Sequence, residues 1–447
     1  MDIAFISLGC DKNLVDSEIM LGLVDEKGYK ISDDEANVDV VVINTCGFIL
    51  DATSEGIENI LEVVENKKNG SVKKIIVTGC MVQRYEKEIL NEIPEVDAII
   101  GTTEFYRIGE VIESIFENEE KVIIISDKNK TLDENYHYKR VLTTPSHFAY
   151  LKIAEGCDNH CTYCTIPSIR GKFRSRSMES LINETKMLAE QGIKEIILVA
   201  QDTLFYGNDL YGEPKIHILI QEISKIFGIE WIRLLYCYPE RITDDIINEI
   251  KNNEKVLKYI DMPIQHCEDS ILKKMARRTS KADLLEVINK LRKEIDGIVL
   301  RTTLITGFPN ETEEDFSNML DFVKEVRFER IGAFAYSPED GTPAANFPNQ
   351  IDADIKERRK EILLETQNII SYEINQKLIG KTLKVIVDGY ITDDDVYCGR
   401  SYRDCYEVDG MIFFKSVSDI PLGEILEVKI TEGSDYDLIG EVIHEFS

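Results

Sequence analysis

Positive charge is scarce in this chain. Lys and Arg number 52 against 82 Asp and Glu, leaving a formal net charge of -30 over 447 residues. Nucleic-acid binding draws most of its affinity from Lys and Arg that neutralise phosphates, so tRNA is an unlikely partner and a basic protein a fitting one. The plainer reading is that the acidity only serves solubility. No apolar run approaches the ~18 residues needed to cross a bilayer, so no membrane association is expected. Met1-Asp2-Ile3 opens directly on a strand pattern, without the basic, apolar and cleavage-site succession of a secretory leader. The expected setting is therefore cytoplasmic and reducing. Walker and G-x-G-x-x-G phosphate loops are missing, as is any internal repeat beyond a β/α alternation. What the chain does have is ten cysteines, which in a reducing setting read as metal or redox sites and core fillers.

Three of those thiols share one loop, Glu155-Gly156-Cys157-Asp158-Asn159-His160-Cys161-Thr162-Tyr163-Cys164, after a strand-like run over 147–154. In the spacing C-x3-C-x2-C each thiolate can approach a different iron of one 4Fe-4S cube from the same side. A fully ligated cube takes four cysteines, and with no fourth one nearby an iron stays open for a substrate. A zinc site of Cys157, Cys161, Cys164 and His160 is the alternative, disfavoured because His160 adjoins Cys161. Three closely spaced thiols cannot all pair, which argues against a disulfide loop.

The length suggests about three domains of ~150 residues. Residues 1–125 alternate strand and helix: strands over 3–8, 38–44, 74–78 and 98–101, with a helix over 52–64 and Asp16-Ser17 as an N-cap before the helical pattern of Ile19, Met20, Leu23 and Val24. Such alternation predicts a doubly wound parallel sheet. Cys10, Cys46 and Cys80 end the first three of these strands, each beside a glycine. Ligands in open α/β sheets sit beyond the carboxyl ends of the strands, so these thiols are candidates for a second three-cysteine cluster; three unrelated buried cysteines are the alternative. Residues 126–146 are polar and read as a linker.

Residues 147–376 resume the alternation, with strands over 148–153, 195–200, 231–236, 259–263, 299–305 and 331–336. Six parallel units predict an incomplete (β/α)6 barrel, with its chemistry at the carboxyl ends of the strands. Gln201-Asp202 and Gln265-His266 fall at that rim, Arg301 lies within the fifth strand, and Thr312 with Asp315 forms a helix-capping pair. Gln201 and Arg301 are candidates to bind a cofactor there, against ordinary rim polarity; for His266 a structural hydrogen bond is favoured over proton transfer. The run Arg170-Gly171-Lys172-Phe173-Arg174-Ser175-Arg176 offers a positive patch beside the cluster loop, fit for an anionic group. Residues 377–447 change to short alternating runs punctuated by glycine, which predicts a small β-barrel. From Gly380 onward six Lys and Arg face fifteen Asp and Glu, a poor surface for RNA and a good one for a basic protein. Cys237, Cys267, Cys398 and Cys405 read as core thiols.

With its six loop and strand-end cysteines placed, the chain resembles the radical S-adenosylmethionine (SAM) methylthiotransferases: an amino-terminal domain with three cluster cysteines, a radical SAM barrel and a TRAM domain. The stretch Leu8-Gly9-Cys10-Asp11-Lys12-Asn13-Leu14-Val15-Asp16-Ser17-Glu18 resembles the branch that modifies ribosomal protein S-twelve. Gly399-Arg400-Ser401-Tyr402 to Glu407-Val408-Asp409-Gly410 resembles the TRAM pattern, departing from it at Cys405-Tyr406. The resemblance implies addition of a methylthio group to the β-carbon of one aspartate of that basic ribosomal protein. It implies two 4Fe-4S clusters, with Cys157, Cys161 and Cys164 holding the one that cleaves SAM and Cys10, Cys46 and Cys80 the one that carries sulfur. With SAM as the cofactor, Gln201, Arg301 and Tyr163 are the candidate residues to bind it, and an electron donor and a sulfur donor are expected as partners. Two alternatives stay open: the same chemistry on a tRNA adenosine, and a non-catalytic iron-sulfur carrier.

Overall fold

The computed structural model describes residues 1–118, 120–130 and 139–443. Its first sheet is wholly parallel and contains β1 (Asp2–Ser7), β2 (Lys30–Ile31), β3 (Val38–Thr45), β4 (Val72–Gly79), β5 (Ala98–Ile100) and β6 (Val122–Ile124), in the order β2-β1-β3-β4-β5-β6. Runs such as Val40 to Ile43 and Ile75 to Val77 are buried on both faces, as a parallel sheet between helices requires. The helices are α1 (Asp11–Glu26), α2 (Leu50–Lys68), α3 (Cys80–Glu92) and α4 (Ile108–Glu117). The short edge strands β2 and β6 were not foreseen.

One expectation fails here in an instructive way. α1 begins at Asp11 with Cys10 as its N-cap, so Asp16 and Ser17 are interior helical residues, not a cap. Both are buried. Their polar groups serve tertiary contacts: Ser17 Oγ accepts from Asn44 Nδ2 at 2.9 Å, and Asp16 binds Lys152.

The second sheet contains β7 (Phe148–Lys152), β10 (Glu195–Val199), β11 (Trp231–Leu234), β12 (Val256–Asp261), β13 (Val299–Thr306) and β14 (Arg330–Ala335), all parallel in the order β14-β13-β12-β11-β10-β7. It is the expected incomplete barrel, open between β7 and β14. A ribbon of β8 (Ala154–Glu155) and β9 (Arg174–Ser175) brackets the cluster loop. Its helices are α5 (Ile166–Ile169), α6 (Met178–Glu190), α7 (Asn208–Tyr211), α8 (Ile216–Ser224), α9 (Asp244–Asn252), α10 (Asp269–Lys274), α11 (Lys281–Glu294), α12 (Glu313–Val326) and α13 (Ala353–Gln376). The Thr312 and Asp315 capping box opens α12.

The third sheet is a closed barrel in the order β15-β16-β17-β19-β18, made of β15 (Thr382–Ile391), β16 (Val396–Ser401), β17 (Ile412–Lys415), β18 (Ile425–Gly433) and β19 (Leu438–Val442). The loop after β16 is packed against the amino-terminal ends of the β/α strands. There Arg400 binds Glu195 at 2.8 Å, Arg233 donates to Tyr402 O at 3.0 Å, Arg330 binds Asp404 at 2.5 Å and Tyr259 Oη donates to Asp409 at 2.7 Å.

The stretch read as a linker is more than a tether. Residues 131–138 of it lie outside the described residues, but Arg140 is buried between Glu18 of α1 and Glu184 of α6 and clamps the two β/α units together. A single apolar cluster joins all three sheets, from Val15, Ile19 and Phe105 through Tyr150, Trp231 and Tyr259 to Ile386 and Cys405. Among the described residues no helix is long and apolar enough to cross a membrane.

Candidate active site

Cys10, Cys46 and Cys80 follow β1, β3 and β4, three neighbouring strands, at their carboxyl ends. The loops that bear them interlock. Gly9 has φ +97°, and a Cβ there would sit 2.7 Å from the Cβ of Cys46. A Cβ on Gly47 would sit 2.8 Å from Met81 Cα, beside Cys80. Only glycine permits this approach. Asn13 secures the group: its Nδ2 donates to Leu8 O at 3.2 Å and to Thr45 O at 3.1 Å, and its Oδ1 lies 3.6 Å from Cys80 Sγ. Cys10 is exposed while Cys46 and Cys80 are buried. Burial pushes the Cys80 thiol up to about 12, Cys10 and Cys46 add to the rise, and Arg170 opposes it.

The second trio hangs from the barrel rim. Cys157 N donates to Gly171 O at 3.1 Å, and Asn159 directs its backbone N and Nδ2 at Cys157 Sγ, at 3.4 and 3.5 Å. Thr162 pins the far side of the loop: its N donates to Met275 O at 3.1 Å, its Oγ1 to Lys274 O at 2.7 Å, and its O accepts from Ala344 N at 3.0 Å. Arg277 Nη1 stands 4.0 Å from Cys161 Sγ. Burial, then the neighbouring Asp202 and Cys161, lift the Cys157 thiol to about 11; burial and Cys161 raise Cys164 further. A positively charged metal centre would relieve that penalty. Among the described residues no three His, Cys, Asp or Glu side chains converge tightly enough for a single ion, and His160 is exposed.

The two edges face each other across a buried polar seam. Lys152, at the end of β7, binds Asp16 of α1 and Glu155 at 2.9 Å. Burial would raise the Glu155 carboxyl, but Arg170 and Lys152 outweigh it and hold it well below the ordinary range. Beside Cys10, the Lys12 ammonium lies 3.2 Å from the ring centroid of Tyr236, whose Oη donates to Asp11 at 3.3 Å. Tyr236 adopts φ +59°, held by Asp261 Oδ2 accepting from its N at 3.0 Å. Arg84 of α3 closes another side, donating to Gly47 O and pairing with Glu339, both at 2.9 Å.

The remaining predicted residues divide. Gln201 joins the seam, with Nε2 donating to Glu155 at 3.3 Å and a buried Oε1 without a partner. Tyr163 is half-buried, with its phenol beside Cys161. Arg301 is committed elsewhere, to Asp261 at 2.8 Å and to Asp409 of the carboxyl-terminal barrel at 3.5 Å, beside a cavity of about 260 Å³ that Gly332 and Tyr436 also line. His266 is buried, with Nδ1 accepting from Glu268 N at 3.0 Å, a structural role. The run from Arg170 to Arg176 is not a free positive patch: Arg170 is buried in ion pairs with the nearby Glu155 and the distant Asp16, and Arg176 in one with Glu184 of the following helix. Sequence reasoning missed Lys12, Asp16, Lys152, Glu155 and Tyr236 as parts of the seam. The polar face that Lys12, Asn13 and Asp16 form at helical spacing was the signal available.

Comparison with known proteins bears on the whole chain. Residues 2–101 match the uncharacterized protein family UPF0004, 151–323 the radical SAM superfamily and 379–443 the TRAM domain. The ribosomal protein uS12 methylthiotransferase RimO of Lachnoclostridium phytofermentans is 50% identical over 442 residues, covering 98% of this chain and 99% of that protein. RimO of Clostridioides difficile is 47% identical over 447 residues, covering all of both. Among solved structures, the radical S-adenosylmethionine methyltransferase TsrM from Kitasatospora setae, with cobalamin and a 4Fe-4S cluster bound, superposes with a TM-score of 0.56 at 13% identity. That match covers 87% of this chain and 81% of that one, and it speaks for the fold alone.

Proposed function

The chain belongs to the RimO family of radical SAM methylthiotransferases, and from that premise we propose that it adds a methylthio group to the β-carbon of an aspartate in ribosomal protein uS12. In this reading Cys157, Cys161 and Cys164 hold a 4Fe-4S cluster that binds SAM, and Cys10, Cys46 and Cys80 hold a second, sulfur-bearing cluster. Bound there, SAM and the clusters supply the removal of hydrogen from an unactivated C–H bond and the sulfur that replaces it, which no side chain can supply.

The protein's part is to hold, orient and screen. Asn159 and Arg277 direct N–H groups at the sulfurs of Cys157 and Cys161. In this reading Gln201 and Tyr163 contact SAM, which the unpartnered buried carboxamide oxygen of Gln201 and the position of Tyr163 beside Cys161 support. Arg301, bound to two carboxylates, supports the barrel floor: Asp261, which it grips, also holds the amide of Tyr236. Tyr236 and Lys12 pack against each other on one side of the loop that bears Cys10.

The single observation that carries the reading is that two separate three-thiol edges meet at one buried seam. Recruitment follows from charge. Past Gly380 the buried Arg400 and Arg403 are matched by the buried Asp388 and Asp404, so the carboxyl-terminal barrel keeps the acidic excess of its composition on its exposed face, which favours a basic protein over RNA. A ribosomal target places the enzyme in the cytoplasm. The test is mass spectrometry of uS12 after incubation with reconstituted enzyme, SAM, sulfide and a reductant. A methylthio increment on one aspartate is expected; modification of tRNA with none on uS12 would overturn the assignment.

A further inference from the structure

Arg170 is the largest side chain buried at the seam, about 1% exposed, and every one of its nitrogens is engaged. Nε donates to Cys80 Sγ at 3.3 Å, Nη1 to Glu155 at 2.7 Å, and Nη2 to Asn13 Oδ1 with Asp16 at 3.5 Å. It caps α5, which packs against α3, the helix that Cys80 begins. The next residue, Gly171, accepts the N–H of Cys157 at 3.1 Å. Two consecutive residues thus touch a thiol-bearing residue of each trio, one through a guanidinium and the other through a carbonyl.

The geometry points to Arg170 as a positioning residue for the sulfur-bearing centre, one that tunes its electronics and sets its place relative to the SAM-binding loop. The inference rests on the reading above that Cys80 is a cluster ligand. Hydrogen bonds and charge directed at a ligating sulfur stabilise the more negative, reduced state and raise a cluster's potential; in a buried site nothing screens them. Asn13 contributes to the same arrangement, since its Oδ1 accepts from Arg170 while its Nδ2 ties down the loops of Cys10 and Cys46. Lysine cannot reproduce this: it carries the charge as a point and lacks the planar fork that spans Cys80, Glu155 and Asn13 together.

The experiment uses full-length protein carrying Cys161→Ala, so that only the amino-terminal centre is loaded, reconstituted with iron and sulfide. Iron content and a redox titration followed by electron paramagnetic resonance are compared for Arg170, Arg170→Lys and Arg170→Met. The midpoint potential is expected to fall in Arg170→Met and to fall less in Arg170→Lys. In the background with all six cysteines, methylthio product is expected to drop about 10- to 100-fold in Arg170→Met while SAM cleavage persists. Equal potentials in loaded Arg170 and Arg170→Lys proteins overturn the inference and leave the cluster assignment standing. Should Arg170→Met fail to load, the Arg170→Lys comparison decides by itself. Absence of iron from the Arg170 parent overturns the cluster assignment and this inference with it.

Discussion

At the scale of single residues, the structure keeps the two thiol trios on different elements, and the proposed function gives them different duties. Cys161→Ala is expected to abolish SAM cleavage, whereas Cys46→Ala is expected to leave 5′-deoxyadenosine formation intact and remove only methylthio product. Chromatography of both products from each variant checks this, and equal loss of cleavage in the two would contradict it. A second prediction concerns stability. Glu195 is fully buried between Arg233 and Arg400, each at hydrogen-bonding distance. Glu195→Gln removes the negative charge two buried guanidiniums share, and a loss of about 3–5 kcal/mol in denaturant unfolding is expected. The placement of Cys10, Cys46 and Cys80 after strands was legible in the sequence because strand ends are local features. The fate of Arg170 was not: a run of positive charge reads as a surface patch unless one knows that Asp16, more than 150 positions earlier, and Glu155 close over it.

At the scale of elements, the β/α alternation and the closing β-barrel could be read from hydrophobic patterning, whereas β2, β6, β16 and β19 could not. β2 and β6 are too short to show a period, and the two barrel strands interrupt their apolar alternation with Gly and charge. The start of α1 was misplaced for a related reason. Asp16-Ser17 is a sound capping signal locally, but the helix spends those side chains on β3 and β7 instead. The junction of β15 and β16 with the strand ends of the β/α sheet carries a pH prediction. Burial would raise the carboxyls of Glu195 and Asp388, yet for Glu195 the pair Arg400 and Arg233, and for Asp388 the pair His147 and Arg400, outweigh it and depress them below 4.5 and 3.8. Depressed carboxylates contribute stability above those values and lose it as pH falls through them. Trp231, the one tryptophan, is buried in the same cluster as Ile386 and Cys405. Its fluorescence is expected to stay constant from about pH 8 to 5 and to shift to the red below pH 4.5, as the small barrel separates from the strand ends.

At the scale of the whole molecule, the excess of acid makes association with a basic partner a matter of rate. Asp393 and Asp394 are exposed in the turn between β15 and β16. Replacing both with Lys is expected to slow association with uS12 about tenfold at low ionic strength, with the gap closing near 1 M salt while turnover at saturating uS12 stays constant. Stopped-flow measurement across a salt series checks it. The docking of the small barrel onto the strand ends has a further consequence, for the order in which the chain can mature. Arg400, the counter-ion of Glu195, follows it by 205 residues. At a translation rate of ~5–20 residues per second, the nascent sheet waits roughly 10–40 s for that partner to emerge. Until then Glu195 has only Arg233 as a counter-ion, so the sheet acquires its full charge balance at that edge after the last domain is made.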